Sequence, residues 1–169
     1  MNIYKHCIKK GNRGYVFVPN QKLTTQMNAL IKNINDNSVL PMNLLTAFDA
    51  TKVPSNGKFI RNYMSLDYYY DNYELKFAGY PTDEHDFHLT NIEFETDQYN
   101  LFGITINDNK DYVIKKLHSF GFSEMTEKCS KNYLCFCNLD VRIGVTFKDD
   151  IVSRIVISVA TYYLGNRMY

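Results

Sequence analysis

No run of 18 apolar residues occurs in this 169-residue chain, so its composition offers no membrane-spanning helix. Neither charge is in real excess. Nineteen basic and 18 acidic residues leave a net +1, too weak a field to gather nucleic acid or an anionic membrane surface. Tryptophan is absent. Cysteine is scarce, and its four positions (Cys7, Cys129, Cys135, Cys137) match no zinc-binding spacing. Cys135 and Cys137 flank Phe136 in a strand-like run, which points both thiols to one face and makes them poor disulfide partners. Reduced, partly buried thiols are the expected state. Met1 to His6 carry basic residues with no apolar segment behind them, unlike a secretory leader. With Met1 as the natural start, a cytoplasmic protein is expected. Catalytic signatures are also missing. There is no G-x-S-x-G, no phosphate loop and no H-E-x-x-H.

What is present is an internal echo. Val145-Thr146-Phe147, Asp149 and Val152 to Ile157 repeat the pattern of Leu75-Lys76-Phe77, Asp86 and Leu89 to Phe94. The second arms match at an offset of 63 residues and the first arms at 70. Seven extra residues enlarge the turn of the first copy, Ala78 to His85. Leu30, Ile31 and Ile34 likewise match Val113, Ile114 and Leu117 at an offset of 83. Helix and hairpin therefore occur in the same order in both halves.

Local signals fill in the elements. Gly14 to Val18 reads as a short strand stopped by Pro19. Thr25 is a candidate N-cap for a helix carrying Met27, Leu30, Ile31 and Ile34, with Asp36-Asn37-Ser38 at its end. Met42 to Phe48 could form a short helical turn, and Pro54 to Gly57 a reverse turn. The aromatic run from Tyr63 to Phe77 favours strand. Phe102 to Ile106 reads as a strand. Asp108 is a candidate N-cap, with Asp111 in the positive first turn of the helix and Gly121 suited to its left-handed exit. Strands follow at 132–137, 141–147 and 151–160, the first two joined by a short loop at Asn138-Leu139-Asp140. The expected fold is α+β: two similar helix-plus-hairpin repeats, about 14–97 and 101–160, forming one antiparallel sheet with the helices on one face. All of 1–169 is one domain. The apolar, aromatic tail from Thr161 to Tyr169 is expected to dock on the sheet or on a second protomer, giving a possible homodimer through the tail or the open sheet face.

Gly103-Ile104-Thr105-Ile106-Asn107-Asp108, followed by Val113-x-x-x-Leu117, resembles the opening of the beta-lactamase inhibitor protein-like and SmpA/OmlA-like repeats, with Asn107 where a glycine is usual. The later Val145-x-Phe147 and Val152-x-x-Ile155 pattern fits as well. The resemblance covers about 102–160 well and 14–96 more weakly. It implies a helical segment packed on an antiparallel sheet and a binding or assembly role for a small bacterial-type protein.

Two places could carry function. The enlarged turn holds Tyr80, Asp83, Glu84, His85, Asp86 and His88, whose oxygen and nitrogen donors could bind a partner or a divalent metal. The ordinary alternative is a solvated turn. Metal candidates are Asp83, His85 and His88. The tyrosine run, with Tyr68, Tyr69, Tyr70 and Tyr73, could be core or a partner-binding face; Tyr68 and Tyr70 point one way and Tyr69 the other. The favoured expectation is a non-catalytic module that binds another protein and needs no cofactor. Its binding residues would be Tyr68, Tyr69, Tyr70, Tyr73, Tyr80, Asp83, Glu84 and His85. The alternatives are a metal-dependent hydrolase using the 83–88 loop and an immunity-type inhibitor of a toxin. Nucleic acid and membrane are not expected as partners.

Overall fold

Alternation of apolar and polar residues along successive strands builds one large sheet in the computed structural model, which describes residues 8–11, 14–17, 21–62, 65–79 and 87–160. Tyr80 to Asp86 and the Thr161–Tyr169 tail lie outside those residues, so the expectations placed on them find no answer here. Strands β1 (Ile8–Gly11) and β2 (Gly14–Phe17) pair with each other as a separate ribbon. Helix α1 (Gln21–Asp36) precedes β3 (Lys58–Arg61), β4 (Ser65–Tyr70), β5 (Tyr73–Ala78) and β6 (His88–Phe94). Helix α2 (Lys110–Ser119) precedes β7 (Ser123–Glu124), β8 (Tyr133–Asn138), β9 (Val141–Lys148) and β10 (Ile151–Val159). The spatial order is β3-β4-β5-β6-β10-β9-β8-β7, with every neighbouring pair antiparallel. The fold is α+β, dominated by its eight-stranded sheet.

The two hairpins share a detail that no hydropathy pattern shows. In β5–β6, Lys76 pairs with Asn91 and Phe77 with Leu89, which leaves Thr90 as a bulge. In β9–β10, Thr146 pairs with Arg154 and Phe147 with Val152, which leaves Ser153 as a bulge. Each bulged hydroxyl donates across the hairpin, Thr90 to the Lys76 carbonyl at 3.3 Å and Ser153 to the Thr146 carbonyl at 3.2 Å. At the seam, Ile92 faces Ile157, Glu93 faces Val156 and Phe94 faces Ile155.

One apolar cluster unites both helices with one face of the sheet. Met27, Leu30, Ile31 and Ile34 of α1 and Val113 and Leu117 of α2 join Leu75, Phe77, Ile92, Phe94, Ile143, Val145, Ile155 and Ile157. α2 is well bounded. The Asn109 side chain, not that of Asp108, caps it by accepting the Tyr112 N–H at 2.9 Å. Asp108 instead accepts the Thr105 N–H at 2.7 Å, so it orders the approach to the helix. At the other end, Phe122 N–H reaches the Leu117 carbonyl and Gly121 N–H the His118 carbonyl, both at 3.0 Å, with Gly121 at φ 80°.

Other sequence expectations shift. α1 starts at Gln21, so Thr25 is interior to it. Leu101 and Ile104 bridge across a tight turn with Phe102 at φ 54° and Gly103 at φ 80°, in place of a strand. Residues 42–48 form turns, with Leu45 at φ 60°, and a short 3-10 turn follows at Ala50–Lys52. Asn107 holds φ 80°, the conformation a glycine would supply at that place.

Leu117 is wholly buried, so Leu117→Ala should cost about 2–5 kcal/mol in chemical denaturation. Asn107→Gly should be nearly neutral, whereas Asn107→Val, with a β-branched side chain at positive φ, should cost about 1–2 kcal/mol.

Candidate functional site

The strand faces sort the tyrosines. Tyr68 is fully buried on the helix side, and its hydroxyl donates to the Pro54 carbonyl at 2.6 Å. Its ring fills the space a Cβ at Gly57 would need. Tyr68 therefore has no surface to give a partner, which corrects its place among the expected binding residues. The aromatic run is also two strands, because Asp71 at φ 47° and Asn72 turn the chain between β4 and β5. Tyr70 and Tyr73 are half-buried at the margin of the core. Tyr73 packs on Tyr70 at 5.6 Å and edge-on to Tyr99 at 5.4 Å, and Tyr99 packs on Phe94 at 6.0 Å. Burial among these rings pushes the Tyr73 hydroxyl well above the ordinary tyrosine range. Tyr69 alone of the β4 tyrosines faces the side away from the helices.

That opposite face is built by register. Tyr69, Glu74, Glu93, Val156, Gly144 and Cys135 lie in one row across six strands. Beside it run Asp67, Lys76, Asn91, Ser158 and Arg142. Glu74 stands directly opposite Glu93, a pairing that sheets normally avoid. Burial first, and then the Glu93 charge, raise the Glu74 carboxyl above the usual range, while a hydrogen bond with Tyr69 pulls the other way. Glu93 is held by Arg154, whose guanidinium donates to it at 3.0 Å. Asp67 is buried, and its Oδ1 lies 3.9 Å from the Lys76 ammonium with no hydrogen-bond partner among the described residues. Tyr69, Asp71, Asn72, Tyr73, Glu74, Glu93 and Glu95 line an open cleft of about 210 Å³ at the turn end of β4–β6.

Of the expected site residues, Tyr69 and Tyr73 meet in this cleft, and Tyr70 lies beside Tyr73. Tyr80, Asp83, Glu84 and His85 lie outside the described residues. His88 opens β6, half-buried, paired with Ala78 and bridged to Ala47. Asp83 and His85, its companions as metal candidates, lie outside the described residues. The sequence reading missed Glu74, Glu93, Glu95 and Asp67. The signal was present in outline: once Leu75 is set against Ile92, Glu74 must face Glu93.

No family model matches this chain, and no curated protein matches it. Among solved structures it is similar to an extracellular protein containing an SCP domain from Bacillus anthracis strain Ames, at 14% identity and a TM-score of 0.45. The match covers 74% of this chain and 47% of that one, so the chain spans about half the length of that protein. A likeness so distant carries no argument about function. Among the described residues no helix is long and apolar enough to cross a membrane.

Glu74 has a folded pKa above its unfolded one. The stabilising contribution of its protonated form is complete in acid and is lost as pH rises through the folded pKa. Glu74→Gln should therefore raise the melting temperature at pH 7, and the gain should vanish by about pH 4, near the unfolded carboxyl value. Tyr68→Phe should cost about 1 kcal/mol through the orphaned Pro54 carbonyl, read from urea unfolding.

Proposed function

We propose that this chain is a non-catalytic module, built of two tandem repeats, that binds another protein through the sheet face turned away from its helices. The observation that carries the reading is the Glu74–Glu93 pairing at the rim of the Tyr69 cleft. Arg154 already offsets Glu93, and a partner's cationic side chain would offset Glu74 and Glu95 in the same cleft. Tyr69 adds rigid aromatic area to that face at low entropic cost, and Tyr73 borders the cleft from the core side. The partner surface is therefore basic, with an arginine or lysine entering the cleft. The likeness of the 103–117 segment to the beta-lactamase inhibitor protein-like repeats leans the same way, and the φ of Asn107 suits its glycine position. Cytoplasm is the proposed setting, since Cys129, Cys135 and Cys137 are free thiols.

The test begins with capture of the partner from native lysate and its purification. Tyr69→Ala and Glu93→Ala should each then weaken binding by at least about fivefold, roughly 1 kcal/mol, with affinity falling as salt rises. Lys115→Ala, on the exposed side of α2, should change nothing. Binding that ignores the two sheet-face variants and fails in the α2 variant would sink the reading. Stoichiometric metal in the purified protein, lost together with an activity in His85→Ala/His88→Ala, would favour the hydrolase.

A further inference from the structure

At the β7–β8 end of the sheet the chain brings Met125, Cys129 and Cys135 together, with the Cys129 Sγ against the backbone of the other two. Met125 follows β7 and donates its N–H to the Cys135 carbonyl at 2.7 Å, which sets its side chain beside that of Cys135. The two sulfurs, Cys135 Sγ and Met125 Sδ, lie 3.8 Å apart. A single 3-10 turn, Thr126–Lys128, then returns Cys129 over the same spot. Its Sγ lies 3.3 Å from the Met125 carbonyl, 3.4 Å from the Cys135 amide nitrogen and 3.8 Å from the Cys135 carbonyl. Cys135 is buried although it sits on the face away from the helices, and Cys129 is half-exposed.

We propose that Met125, Cys129 and Cys135 form a binding site for a soft monovalent metal ion of the copper(I) class. Thiolate and thioether donors without nitrogen or carboxylate select soft ions over magnesium, calcium or manganese. A three-coordinate site with metal–sulfur bonds of about 2.3 Å holds its sulfurs roughly 4 Å apart, close to the spacing of Cys135 and Met125. Burial raises the Cys135 thiol above its usual range, so a bound ion must displace a held proton there, and the Tyr133 hydroxyl hydrogen-bonds this sulfur. Tyr133 is thus a ready outer-shell donor to the sulfur. The exposed side of Cys129 gives the ion its way in.

The test uses the whole reduced chain, titrated anaerobically with copper(I) against bicinchoninate. One equivalent should be withheld from the chelator, and the melting temperature should rise with loading. Cys129→Ser and Met125→Leu should each weaken retention by at least about tenfold while circular dichroism shows an unchanged fold. Both residues are partly exposed, so these variants test the site even if Cys135→Ser fails to fold. A wild-type chain that withholds no copper(I) overturns the proposal. So does retention that survives undiminished in Cys129→Ser, which would place the metal on Cys7 or Cys137.

Discussion

Antiparallel pairing of β6 with β10 is the constraint on which the rest of this structure depends. Each half ends in a strand that would otherwise be a bare edge, buried on one face and open along its backbone. Joining the two edges turns two four-stranded meanders into one sheet and places Ile92, Phe94, Ile155 and Ile157, all fully buried, at the centre of a shared core. The outer edges are then the first strands of each half. β7 is only two residues long, and β3 carries Lys58 and Arg61, both devices that discourage further pairing.

Much of this was legible in the sequence because it follows from local physics. Val141, Ile143, Val145 and Phe147 alternate because one face of β9 is buried, and the α2 stripe repeats because one side of that helix is. Gly121 marked a left-handed exit that only a few residue types can adopt. The misreadings came where polar groups choose among near-equal local partners. Asp108 and Asn109 can both cap a helix, and the difference lies in which one Thr105 engages. Asp71-Asn72 can turn a chain as well as Asn-Gly can, but the tyrosines around it read as one continuous strand.

The candidate site was less legible. Tyr68 and Tyr69 are neighbours of one residue type, yet one is spent on Pro54 and the core while the other faces away. The acidic members come from strands that the sequence had paired without pairing their charges. The 125–135 sulfur cluster depends on a 3-10 turn that carries no periodic signal at all. The proposed binding surface sits on rows of the sheet, and a row contains one residue from each strand, far apart in sequence.

The seam also orders assembly in time. Hairpins β4–β5, β8–β9 and β9–β10 close over turns of two residues, a step of microseconds. Glu93 and Arg154, which meet across the seam, are 61 positions apart. Closing that distance costs chain entropy before any contact repays it. Each meander can therefore close early, with the docking of one upon the other as the slow step. Until that docking occurs, two strand edges with large apolar side chains stand open, and a neighbouring molecule can offer either of them the match that belongs to its own chain.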